Sequence, residues 1–201
     1  MRRATGSNRS QPATERVSIQ LTLDGHFFSV PAAEALTAGG IVELLTPLTL
    51  LVPRALYTGE NAAALFAADG LPLPAAARVL EATGAEADVV ALLGISAEAW
   101  QQLETLCGDR EIRCTTPLLT TVEATSPTVW ICDTGGMLYI KVFDAGLQLA
   151  EAVAVGSEAD RLYLLQRLAE RIEPKRFVLR LEDRAGNRRH YRNYFKKIVC
   201  E

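Results

Sequence analysis

Apolar and polar positions alternate from Val17 to Leu23, placing Val17, Ile19, Leu21 and Leu23 on one face of an extended chain and Ser18, Gln20 and Thr22 on the other. The alternation runs into Asp24-Gly25, a pair suited to a tight turn, so His26 to Val30 is expected as the returning strand of a hairpin. After Gly39-Gly40 the apolar stretch Ile41 to Val52 predicts one or two strands interrupted at Pro47. Glu60 to Ala68 is alanine-rich and helix-prone, and it stops at Asp69-Gly70 before a connection containing Pro72 and Pro74. The unbroken apolar run Ala87 to Leu93 predicts a strand covered on both faces. Ser96 offers an N-cap to a helix in which Trp100, Leu103 and Leu106 recur at helical spacing up to Gly108. Glu111 to Thr115 is expected as a brief strand and Pro117 to Val122 as a helical turn or two. Glu123 to Pro127 is the expected junction between halves.

The second half is patterned more sharply. Thr128 to Thr134 predicts a buried strand that Gly135-Gly136 turns. Met137 to Phe143 then alternates, with Leu138, Ile140 and Val142 opposing Met137, Tyr139, Lys141 and Phe143. Asp144-Ala145-Gly146 turns again into Leu147 to Val155, completing an antiparallel meander. Ser157 caps a helix with Asp160 in capping-box position, and Leu162, Leu165, Leu168 and Ile172 form its apolar stripe. Pro174 closes that helix. Arg176 to Leu181 is expected as a fourth strand, laid parallel to the first by a right-handed crossover. A last helix is expected from about Asn187 to Ile198.

With 49% hydrophobic and 22% charged residues in 201, the chain has ample material for a core, which excludes wholesale disorder. Residues 1–16, polar and basic, are expected to form a disordered tail. No run approaches the ~20 apolar residues needed to cross a bilayer, and the N-terminus lacks the apolar segment of a secretory signal, so a cytoplasmic protein is expected. Cys107, Cys114, Cys132 and Cys200 show no metal-ligand spacing and are expected as buried reduced thiols.

The net charge of −3 conceals a gradient. Residues 1–16 hold four Arg against one Glu and residues 182–201 hold six Lys/Arg against three acids, leaving 11 basic and 20 acidic residues between. An acidic body argues against general nucleic-acid binding, whose affinity rests on neutralised phosphates. The C-terminal cluster of Arg188, Arg189, Arg192, Lys196 and Lys197, interleaved with Tyr191, Tyr194 and Phe195, is a candidate contact for RNA or an acidic partner. The plainer reading docks those aromatics on the body and leaves the cations solvated.

A meander, a crossover helix and a parallel fourth strand form the repeating half of the actin-like and ribonuclease-H-like folds. The expected class is therefore α/β with mixed sheets and two lobes of βββαβα type, residues 17–125 and 126–201, facing a cleft. In each lobe the first strand ends in Asp followed by Gly, at Asp24-Gly25 and at Asp133 with Gly135-Gly136. The second resembles the phosphate-binding hairpin of actin-like ATPases, where glycine amides reach phosphates and the carboxylate holds magnesium through water. Across most of the chain, the segments SIQLTLDG, LTLLVPRALYT, ADVVALL and the later meander resemble domain-of-unknown-function family 3822. That resemblance implies a degenerate actin-like fold similar to the pilus-assembly actin-like proteins, and no known activity.

The sequence departs from an ATPase at definite places. His26-Phe27-Phe28 stands where the pattern wants Gly and a hydroxyl, and Met137 stands where a Thr or Ser is wanted. Arg180-Leu181-Glu182-Asp183 replaces a Gly-Gly turn. A non-catalytic scaffold or adaptor that binds another protein, or a second copy of itself, is therefore the expected function, with no resident cofactor. The alternatives are a magnesium–nucleotide site at Asp24, Gly25, Asp133, Gly135 and Gly136, and an RNA contact through the C-terminal cluster. A metal nuclease using Asp133, Glu158 or Glu170, and Glu182 or Asp183 is a further possibility.

Overall fold

The computed structural model describes residues 16–21, 27–29, 41–84, 88–107 and 113–201. In the first half, strands β1 (Arg16–Leu21) and β2 (Phe27–Ser29) pair antiparallel, with Ile19 opposite Ser29. The Asp24-Gly25 turn and the tail expected over residues 1–15 lie outside the described residues, and Arg16 already belongs to β1. β3 (Ile41–Leu45) and β4 (Thr49–Pro53) are separate strands broken around Pro47. Helix α1 (Ala62–Ala68) follows, then β5 (Arg78–Thr83), β6 (Val89–Ile95), α2 (Ala97–Cys107) and β7 (Arg113–Thr115).

These strands form two sheets, one ordered β2-β1-β3-β7 and the other β4-β6-β5. β1, β3 and β7 are mutually parallel, so the antiparallel β4-β6-β5 sheet is an insertion between two strands of the first. β6 is its centre. Val90 and Leu92 pack with Phe66 of α1, while Ala91, Leu93 and Ile95 pack with Ala99 and Leu103 of α2, which is why its sequence is apolar throughout. In β5 only Ala82 is fully buried, so its pattern gives no clear alternation.

The second half comprises β8 (Thr128–Asp133), β9 (Met137–Phe143), β10 (Leu147–Ala154), α3 (Glu158–Arg171), β11 (Val178–Asp183), α4 (Arg188–Tyr191) and β12 (Lys197–Cys200). Its sheet is ordered β10-β9-β8-β11-β12, with β8, β11 and β12 parallel and the β8-β9-β10 meander antiparallel. The Ser157 Oγ accepts from Asp160 N at 3.1 Å, capping α3. The segment expected as one last helix is instead α4 followed by β12. Pairing with β11 outweighs a helical propensity already weakened by the aromatic residues Tyr191, Tyr194 and Phe195. β11 begins two residues later than expected because Pro174–Arg176 forms a 3-10 turn. No strand pairs across residues 116–127 among the described residues.

Both faces of the β8-β9 pair are covered. Val129, Ile131, Leu138, Ile140 and Val142 pack beneath Leu165 and Leu168 of α3, with Tyr191 and Phe195 closing that core. The opposite side chains, Trp130, Cys132, Met137 and Tyr139, pack against Leu45 of β3 and Leu118 of the first half.

Candidate functional site

Asp133 ends β8 on the face that carries Val129 and Ile131, so its carboxylate turns toward α3 and is wholly buried. Arg161 of α3 meets it with Nε 2.9 Å from Oδ2 and Nη2 3.2 Å from Oδ1. Tyr191 Oη donates to Oδ2 at 2.7 Å, Asn187 Nδ2 to the same oxygen at 3.1 Å, and Gly135 N to Oδ1 at 2.9 Å. A carboxylate offers about four lone-pair sites, so these donors leave no capacity for a hydrated cation. Burial, and then the Asp133 charge, push the Tyr191 phenol far above its ordinary range.

The glycine turn is used in the same inward way. Gly135 has φ +91°, its amide is held by Asp133, and its carbonyl accepts from Arg161 Nη2 at 2.9 Å. Gly136 O accepts from Val155 N at 2.9 Å. The Gly135 amide that would cradle phosphate is thus committed to the chain's own carboxylate. In this second hairpin the described residues do not fit a magnesium–nucleotide complex. Asp24 and Gly25, the other half of the expected site, lie outside the described residues.

Asp183 is the cross-strand neighbour of Asp133. Its Oδ1 accepts from Ala185 N at 3.2 Å and Asn187 N at 2.9 Å, and its Oδ2 from Arg188 N at 2.7 Å, so it organises the loop into α4. Glu182 pairs with Arg184 at 2.7 Å. Glu158 lies exposed at the start of α3, near Arg189 and His190, each at 3.5 Å. Glu170 pairs with Arg167 at 2.6 Å, about 18 Å farther along the helix axis. Among the described residues no group of three or more His, Cys, Asp or Glu could hold a metal ion. The metal-nuclease reading is therefore corrected: Asp133 and Asp183 are neighbours, but each is satisfied by donors of the chain, and Glu158 and Glu170 do not complete a group with them.

Where it is described, the expected cleft is crossed by contacts between the halves. Besides the packing of Leu45 and Leu118 on Trp130, Cys132, Met137 and Tyr139, the Arg184 guanidinium reaches from the loop after β11 to Glu43 of β3. Its Nη1 bonds Oε2, and its Nη2 lies 3.3 Å from Oε1. Burial alone would lower the Arg184 pKa, but hydrogen bonds and charge contact with Glu43, together with Glu182, raise it instead. Glu43 is wholly buried. Lys141, also buried, donates to Thr120 O at 2.8 Å with its Nζ 5.6 Å from the Trp130 ring centroid. A cavity of about 100 Å³ remains there, lined by Leu51, Leu118, Val122, Lys141, Phe143 and Leu147 among others. A second cavity, of about 380 Å³, shares Val122 and Phe143 with it and is lined also by Ala124, Thr125, Pro127 and Gly146.

At the C-terminus, Arg188, Arg189, Arg192, Lys196 and Lys197 are exposed, while Tyr191 and Phe195 are buried and Tyr194 is half-buried. The rings dock on the body and are not offered to bases. Of the cysteines, Cys132 is buried, and burial raises its thiol pKa well above the ordinary value. Cys114 is half-buried; Cys200 is exposed, against expectation, because β12 is an edge strand.

Arg161, Asn187 and the Glu43–Arg184 pair were not expected from the sequence. One signal existed. Arg161 falls at helical spacing with Leu165, Leu168 and Ile172, so an arginine occupies the apolar stripe of α3 and demands a buried anion.

No protein-family model matches the chain, and no curated protein does. Among solved structures, it is similar to a Bacteroides thetaiotaomicron protein with an actin-like ATPase fold and unknown function, at TM-score 0.67 and 14% identity over 94% of this chain and 91% of that one. It is also similar to the cytoplasmic domain of EpsL, an inner membrane component of the Vibrio cholerae type II secretion system. There the TM-score is 0.44 and the identity 8%, over 92% of this chain and 85% of that one. No helix among the described residues is long and apolar enough to cross a membrane. The chain has a mixed α/β architecture of the actin-like ATPase fold.

Proposed function

We propose that this protein is a non-catalytic actin-like scaffold that works by contact with another protein. The reading carries with it membership of family 3822, which its strand pattern resembles. The observation that carries it is the pairing of Asp133 with Arg161. The carboxylate that the actin-like pattern assigns to magnesium is neutralised by a cation built into α3, so the lobe holds its shape without a bound ligand. Packing between the halves supports the same reading: Glu43–Arg184 and the contacts of Leu45 and Leu118 hold together surfaces that a nucleotide would have to separate. Fold alone confers no activity.

Isothermal titration of the full chain with magnesium ATP tests the proposal. No binding heat at millimolar nucleotide is expected. Saturable heat that vanishes in Asp133→Asn would establish a nucleotide site and overturn the reading.

A further inference from the structure

β12 is the edge of its sheet, bonded only to β11 among the strands described. Glu201 N donates to Leu181 O at 3.1 Å, which sets the alternation along the strand. Residues 197, 199 and 201 direct their peptide groups to β11, and Ile198 and Cys200 direct theirs to the open side. Ile198 is partly buried against the core under α3, whereas Val199 is 43% exposed and Lys197 and Cys200 are exposed. The strand therefore presents backbone donors and acceptors beside an exposed apolar side chain.

The cations that begin this edge are unpaired, while its carboxylate is already engaged. Glu201 is held by Arg180 at 2.5 Å, and Arg184 is engaged by Glu43 and Glu182. Lys196 and Lys197, at the start of the strand, are exposed and have no ion pair among the described residues. Two such edges from two copies would bring like charge together, a common device against self-pairing. Stacking on nucleic-acid bases is disfavoured here, since Tyr191 and Phe195 are buried and Tyr194 is half-buried.

We propose that β12 receives an extended, acid-rich segment of a partner protein as a sixth strand, with backbone pairing at Ile198 and Cys200 and its acids facing Lys196 and Lys197. This rests on the scaffold reading above and identifies the surface it uses. Main-chain pairing supplies adhesion and the cations supply selectivity.

The test uses the full chain and a labelled ten-residue peptide alternating Glu and Val, read by fluorescence anisotropy. Binding that weakens with added salt is expected, with no binding of a Lys-Val counterpart. Cys200→Pro removes one outward N–H without touching a bond to β11, and should weaken binding about tenfold or more. The double variant Lys196→Glu/Lys197→Glu alters exposed side chains alone and should do the same, which keeps the test decisive if the proline variant does not fold. Unchanged affinity in both variants would overturn the proposal. So would a labelled oligouridine that binds where the peptide does not, or a concentration-dependent dimer that Cys200→Pro dissolves. Unchanged affinity in both variants, together with silent magnesium ATP titrations, would remove β12 while leaving the scaffold reading intact.

Discussion

Arg161 and Asp133 are exposed by only 6% and 0% of their side chains, so each depends on the other for its charge. Arg161→Ala should lower stability by about 3–5 kcal/mol, because it strands a buried carboxylate. Tyr191→Phe, which withdraws one donor of several, should cost about 1–2 kcal/mol. Chemical denaturation of the two variants checks the order. The same network predicts alkaline sensitivity. Tyrosines in the unfolded chain lose their protons near pH ~10, whereas burial keeps Tyr191 and Tyr139 protonated above that value in the native state. The unfolded state then binds fewer protons than the native one, so stability is fully present below that pH and falls as pH rises beyond it. Unfolding midpoints measured from pH 8 to 11 should decline, and less steeply in Tyr191→Phe.

Among the elements, β6 carries the tightest constraint in the first half. A Cβ at Gly94 would lie 2.8 Å from Leu73 Cδ2 and 2.9 Å from Leu48 Cβ, while Gly94 N already bonds Leu48 O at 2.7 Å. Gly94→Ala should therefore destabilise by about 1–3 kcal/mol through overpacking, despite alanine being the smallest possible change. A thermal melt of the variant reads this directly. Helix caps were legible in advance. Ser96 Oγ accepts from Ala99 N at 3.1 Å and Ser157 Oγ from Asp160 N at 3.1 Å, both where a hydroxyl precedes a helical stripe. β12 was not legible, because Lys197 to Cys200 is too short to show a period and gains its strand geometry only from β11. β5 was obscured for a related reason, since packing on β6 rather than its own alternation defines it.

Across the whole molecule, the two halves are joined by the Glu43–Arg184 pair, the Lys141–Thr120 bond and the apolar contacts of Leu45 and Leu118. Arg184→Ala withdraws a two-pronged guanidinium from a buried carboxylate and should cost about 1.5–3 kcal/mol. Calorimetry should show wild type melting in one transition, with that variant melting earlier. Two separate transitions in wild type would mean that these contacts do not couple the halves.

The meander, the capped crossover helix and the parallel fourth strand followed from the chain alone, because alternation, glycine turns and helical stripes are local signals that each segment carries by itself. That Asp133 would be buried against Arg161, and that Arg184 would close on Glu43, depended on residues 28 and 141 positions apart meeting in space. A carboxylate before a glycine turn has the same local sequence whether it faces a ligand or a guanidinium. Only the packing of α3 on the sheet, and of one half on the other, decides which charge it meets.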